Sequence, residues 1–149
     1  MGRRPRRSPA CQEALQGLEV SFQPALVERL AANLKRNGFQ VHYRVVPDIA
    51  GSTTSKAVYA LADPGSIVLA ASPEESRAHS LLPEVHVTLV TEDCVLADLD
   101  ALLARVVGEL PSALVIVSGP SRSADIEQIL ALGVHGPREE HVVIMPPER

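Results

Sequence analysis

The stretch Leu114-Val115-Ile116-Val117-Ser118-Gly119-Pro120-Ser121-Arg122-Ser123-Ala124-Asp125-Ile126-Glu127-Gln128-Ile129-Leu130-Ala131-Leu132-Gly133-Val134-His135-Gly136-Pro137 decides how this chain is expected to fold. Its four opening aliphatic residues have the pattern of a strand buried on both faces. A turn of small residues follows. Ser123 has the chemistry of an N-cap, and Asp125 and Glu127 would then lie in the first helical turn. Ile126, Ile129 and Leu130 recur at helical spacing, and Gly133 stands where a helix would end. The reading is a strand, a tight loop and a short helix, and in open α/β sheets ligands favour such strand ends.

Two accounts of the loop stand side by side. In one, Ser121, Arg122, Ser123 and the free N–H groups of the helix bind an anion. In the other, the serines cap the helix and Arg122 pairs with a nearby acid. The stretch lacks both G-x-G-x-x-G and G-x-x-x-x-G-K-[ST], so it is not a phosphate-binding fingerprint. His135 is the best single candidate for an active side chain, since Gly133 and Gly136 would let the backbone approach a ligand closely. A turn histidine bonded to backbone is the alternative.

Ser118-Gly119-Pro120-Ser121-Arg122-Ser123-Ala124-Asp125-Ile126-Glu127, followed by Leu132-Gly133-Val134-His135-Gly136-Pro137, resembles the C-terminal signature of the LUD-domain proteins, closest to the lactate-utilisation C branch. Leu61-Ala62-Asp63-Pro64-Gly65-Ser66-Ile67-Val68-Leu69 is similar to that family's Ala-Glu-Thr-Gly-Thr hairpin. Arg77, followed by Leu81-Leu82-Pro83-Glu84-Val85-His86-Val87, is a third match. The resemblance covers roughly residues 57–145. It implies a Rossmann-like architecture shared with sugar-phosphate isomerases and CoA transferases. Its ligand candidates are Ser118, Gly119, Pro120, Ser121, Arg122, Ser123, Asp125, His135 and Gly136, with Asp63, Gly65, Ser66 and Arg77 as a second set. Where the family has Glu-Thr at the hairpin turn, this chain has Asp63-Pro64, which keeps the acid and removes a hydroxyl and a backbone N–H.

At 149 residues the chain is long enough for one domain with a real core, and 46% hydrophobic content argues against disorder. Aromatic residues make up only 3%, so the core must come from Val, Leu, Ile and Ala, and little is available to stack on bases. Of the 14 Lys and Arg residues, Arg3, Arg4, Arg6 and Arg7 crowd the start; the remaining 10 face 18 acidic residues. An acidic body disfavours a nucleic-acid partner. Cys11 and Cys94 have no metal or redox spacing, which fits a reduced cytoplasmic setting. No apolar run approaches a membrane span.

Met1 to Pro9 reads as a mobile basic arm, and residues 10–149 as a single α/β domain. Ala10 to Leu18 has the pattern of a short helix. Gln23 to Arg36 reads as a helix with Pro24 at N1, an apolar stripe of Leu26, Val27, Leu30, Ala31 and Leu34, and a stop at Asn37-Gly38. Phe39 to Val46 reads as a strand with one wet face, which would expose His42. Pro47 to Ser55 reads as a polar loop. Members of the resembled branch usually carry further helices and strands at this point, more than nine residues can contain. Ala57 to Ala62 and Ser66 to Ala71 form the arms of a hairpin, with a type II turn at Asp63-Pro64-Gly65. Glu74 to Ser80 is expected to make one helical turn. Val85 to Val90 is a strand that His86 begins, as a plain structural residue. Ala97 to Val107 is a helix with Leu99, Leu102, Leu103 and Val106 facing inward. His141 to Met145 is the last strand, ended by Pro146-Pro147.

The expected fold is therefore α/β, a three-layer Rossmann-like mixed sheet with a β-hairpin. No H-E-x-x-H, no G-x-S-x-G and no Cys paired by spacing with His supplies a catalytic constellation. The resemblance implies an accessory subunit of an iron–sulfur system oxidising L-lactate to pyruvate. No cofactor or metal is expected in this chain: cysteine-rich iron–sulfur partners would carry the electrons, because two cysteines cannot build a Cys₄ cluster. A small carboxylate or phosphate is the expected ligand. An enzyme acting on a phosphorylated sugar or acyl-CoA, and a small-anion-binding regulatory module, remain as alternatives.

Overall fold

A computed structural model describes residues 23–71, 77–107, 112–124, 130–132 and 136–147. The basic arm, the helix read over Ala10 to Leu18, and the candidates Asp125 and His135 lie outside these residues. Helix α1 spans Pro24–Arg36 with Pro24 in its first turn, as the sequence reads. Val27, Leu30, Ala31 and Leu34 are buried along one face, joined by Asn33. Asn37 ends the helix, and Gly38, at φ +96°, turns the chain so that the Phe39 N–H reaches the Leu34 carbonyl.

The strands are β1 Gln40–Tyr43, β2 Thr53–Lys56, β3 Tyr59–Leu61, β4 Ser66–Ala70, β5 Val85–Thr91, β6 Val95–Leu96, β7 Leu114–Val117, β8 Arg122–Ala124, β9 Leu130–Leu132 and β10 Glu139–Met145. Helix α2, Arg77–Leu81, supplies the short turn expected before β5, and helix α3, Leu99–Val106, follows β6. The fold is α/β with mixed pairing. One sheet runs β1-β10-β5-β2 and is wholly parallel. A second runs β6-β3-β4-β7, with β3 parallel to β6 and antiparallel to β4, and β4 antiparallel to β7. The main core lies where α1 meets both sheets: Leu30 and Leu34 pack with Val90, Val142 and Ile144 of the first and Ala60, Ile67 and Leu69 of the second. Tyr59, Leu61, Val68, Leu96 and Leu102 form a smaller cluster beneath α3. Valine, leucine, isoleucine and alanine fill these layers, as the near absence of aromatic residues requires.

Several expectations are corrected. Leu114–Val117 is an edge strand, antiparallel to β4 and only half-buried, with Ile116 43% exposed. No helix begins at Ser123. Arg122–Ala124 instead pairs antiparallel with Leu130–Leu132, and Ser121 donates its N–H to the Pro137 carbonyl at the base of this ribbon. Long-range pairing with Leu130–Leu132 overrides the capping chemistry of Ser123. The polar loop after β1 is shorter than read, because Thr53–Lys56 joins the parallel sheet beside β5. The first strand stops at Tyr43, since Arg44 adopts φ +61°, and Tyr43 and Val45 are exposed. The hairpin turn is not type II: the Asp63–Pro64 bond is cis and the Gly65 N–H bonds the Leu61 carbonyl. In α3 only Leu102 is buried, while Leu99 and Leu103 face solvent.

Helix α3 is short and depends on its cap. Asp98 accepts the Ala101 N–H at 2.9 Å. Asp98→Ala is expected to cost about 1 kcal/mol of stability, read from urea unfolding, whereas Asp98→Asn should cost a few tenths.

Candidate functional site

The C-terminal end of α1 gathers the two stretches that the sequence marks out. The hairpin turn seats on the helix: Asn33 Nδ2 donates to the Ala62 carbonyl at 2.8 Å, and Asn37 Nδ2 donates to the carbonyls of Pro64 and Gly65 at 2.9 and 2.8 Å. Arg29 Nε stands 3.5 Å from Asp63 Oδ2. A Cβ on Gly65 would lie 2.6 Å from Asn33 atoms, so only glycine permits this approach. The second stretch closes on the same helix end. Gly119, at φ +148°, brings its backbone so near that a Cβ would meet the Asn37 carbonyl oxygen at 2.6 Å. Ser118 Oγ and Ser66 Oγ share a hydrogen bond of 2.8 Å, which joins the two stretches directly.

Between the end of α1 and the second stretch lies an open depression of about 430 Å³, lined by Arg36, Asn37, Ser118, Gly119 and Pro120. Both Asn37 amide hydrogens are committed to the hairpin, so Arg36 is the charged donor, and the Ser118 hydroxyl is the neutral one when it accepts its hydrogen bond from Ser66. Such a pair suits a carboxylate or phosphate. The structure thus brings Ser118, Gly119 and Pro120 together with Gly65 and Ser66. Asp63 serves the hairpin clasp, with its second oxygen 3.2 Å from Asn33 Nδ2. The backbones of Arg122 and Ser123 lie in β8 rather than at a helix N-terminus, so the first-turn N–H groups expected to cradle an anion are not formed there. Gly136 stands against Ser121, where a Cβ would approach the Ser121 Cβ at 3.3 Å. Arg77 opens α2, which contacts β2, and does not line the depression. Arg36 was missed; its only sequence signal is a cation in the last turn of a helix, which a macrodipole explains equally well.

A second cluster was not read from the sequence. On three neighbouring parallel strands, Ser55 Oγ lies 2.9 Å from His86 Nε2, and His86 Nδ1 lies 3.0 Å from Glu140 Oε2. All three are buried, His86 completely. Burial pushes the Glu140 carboxyl up from its ordinary value, and its hydrogen bond and charge interaction with His86 only partly oppose this. The order hydroxyl, imidazole, carboxylate is that of a hydrolytic triad, but Ser55 is only 4% exposed and faces the core. The chain of bonds satisfies buried polar groups and ties β2, β5 and β10 together. Its signal in the sequence is polar residues within strands, His86 and Glu140 beside aliphatic runs and Ser55 in the polar Thr53–Lys56.

The sequence model described as LUD domain matches residues 54–145, a span that begins in β2 and holds the hairpin, the Ser118 loop and β10. The chain belongs to the LUD-domain family. This LUD domain is similar to Lactate utilization protein C of Shouchella clausii, at 33% identity over 90 residues covering 57% of this chain and 39% of that protein. It is also similar to Lactate utilization protein C of Halalkalibacterium halodurans, at 38% identity over 87 residues covering 54% and 38%. The chain therefore spans about two fifths of the length of these curated relatives. A crystal structure of a DUF162 family protein from Deinococcus radiodurans aligns with 86% of this chain and 99% of its own, at TM-score 0.59 and 18% identity, and has the same fold. Among the described residues no helix of the LUD domain is long and apolar enough to cross a membrane.

Proposed function

We propose that this LUD domain is the accessory, non-redox component of a lactate-utilisation system and holds a small carboxylate in the depression beside Arg36. Cysteine-rich iron–sulfur partners carry the electrons from L-lactate towards pyruvate. Similarity to proteins named Lactate utilization protein C supports the system. The observation that carries the site is the convergence of family-matched Ser118, Gly119 and Pro120 with Arg36, a cation from outside the matched span, on one depression. Arg36 supplies two parallel N–H donors to a carboxylate, Ser118 a hydroxyl, and Gly119 keeps the loop against the helix end. Arg122 and His135 remain candidate ligand contacts on their sequence alone.

Titration calorimetry with lactate, pyruvate and inorganic phosphate tests this reading. A charge-assisted contact is worth about 1.5–3 kcal/mol, so Arg36→Ala should weaken binding about tenfold or more with little change in melting temperature. Arg122→Ala in the same assay tests the second candidate cation. Absence of binding by the unaltered protein, or unchanged affinity in Arg36→Ala, overturns the site. Failure of the protein to retain cysteine-rich iron–sulfur partners in a pull-down overturns the accessory role.

A further inference from the structure

Side chains alternate along β10, so His141 projects from the sheet face opposite Val142 and Ile144 and away from the α1 core. There it meets His42 of the edge strand β1. His42 Nε2 lies 3.0 Å from His141 Nδ1, the ring planes differ by 8°, and the centroids are 5.2 Å apart. Nitrogens this close between centroids this far apart place the rings edge to edge, joined by an in-plane N–H···N hydrogen bond. That bond requires one proton and one lone pair. His141 is buried, and its Nε2 has no hydrogen-bond partner among the described residues but lies 3.5 Å from Glu139 Oε2. The carboxylate favours a proton on Nε2, which makes His141 Nδ1 the acceptor and His42 Nε2–H the donor.

The proton count follows from this arrangement. A first added proton goes to the outer Nδ1 of half-buried His42 and leaves the bond intact. A second has only His141 Nδ1 available, and it sets two N–H groups against each other across the 3.0 Å contact. Among the described residues, exposed Tyr43 adjoins His42 in the chain, exposed Arg138 precedes Glu139, and Glu140 bonds His86 on the opposite face of the sheet. His79 of α2 bonds the Thr54 carbonyl and Lys56 ends β2, both on the far edge of the sheet, and exposed Arg44 follows β1. We infer that the His42–His141 pair is a proton-sensitive clasp that holds β1 on the sheet while it carries at most one positive charge, so that the β1–β10 seam opens first on acidification. Burial and His141 both hold His42 below the ordinary histidine value, in the same direction. An opened seam takes up protons near the ordinary histidine value, about pH 6.5, more readily than the closed seam does. The closed state is therefore favoured above that pH, and the open population rises by up to about tenfold per pH unit below it.

Amide hydrogen exchange, corrected for intrinsic rates, tests this between pH 7.5 and 5. In the unaltered protein the protection of His42 and Arg44, whose N–H groups point at β10, should fall by up to about tenfold per unit below pH 6.5, while Leu69 and Ala71, which point at β7, stay constant. In His42→Gln, whose amide can offer either its N–H or its oxygen to His141 Nδ1, that slope should vanish. Flat protection in the unaltered protein, the same slope in His42→Gln, or an equal loss in both seams overturns the inference. If the variant does not fold, ring nitrogen shifts of the unaltered protein decide. Two separated titration steps shared by His42 and His141 support the clasp, and a single unsplit step for each overturns it.

Discussion

Gly65→Ala should unfold this LUD domain far more readily than a methyl added at an open turn such as Gly51. The new Cβ would lie 2.6 Å from the Asn33 carbonyl carbon and Cβ and 2.9 Å from the Leu34 nitrogen, all in the body of α1. None of these atoms can swing aside. The residue also sits at φ +88°, a conformation that L side chains resist. Overpacking and left-handed strain together should cost about 3–5 kcal/mol, or a melting point lower by about 10 °C. Gly51→Ala is the control: it shares the positive φ, at +77°, but meets nothing within 4 Å, and should lose about 1 kcal/mol. Equal losses in the two variants, read by urea unfolding, would show that the hairpin does not seat on α1 as described.

Glu140→Ala should be the second severe variant, costing about 3–5 kcal/mol, because it leaves His86 buried without its acid partner. Glu140→Gln separates charge from shape. Burial raises the Glu140 carboxyl above its unfolded value, so the folded chain holds this proton more tightly than the unfolded chain does. The stability contributed is complete below the unfolded value, near pH 4.3, and is lost as pH rises through the raised folded value. Glutamine cannot ionise and escapes that loss. The deficit of Glu140→Gln relative to glutamate should therefore be about 1–2 kcal/mol near pH 4.5 and shrink as pH rises to 8. Denaturation midpoints at several pH values measure it. A deficit that grows with pH would mean that His86 holds Glu140 ionised within the fold.

These variants probe contacts that the sequence exposes to different degrees. Gly65 was marked by its turn, but its close approach to Asn33 joins residues 32 positions apart in the chain. Glu140, His86 and Ser55 each looked ordinary, and only the parallel register of β2, β5 and β10 sets them in line. His42 read as an exposed strand residue because nothing near it in the chain indicates His141.

What the sequence determined by itself was local or compositional. The helix from Pro24 to Arg36, the hairpin arms, the strand after Pro83 and the aliphatic α/β core follow from spacing, caps and turn residues within a few positions of one another. The family was legible too, since its signature is a continuous run from Ser118 to Pro137. The tertiary structure decided the rest. It turned Leu114–Val117 into an edge strand and Arg122–Ala124 into a ribbon, and it placed Arg36 beside Ser118. Strand pairing is bought from distant partners rather than from neighbours, so the same residues read as helix or strand until the opposing chain is in place.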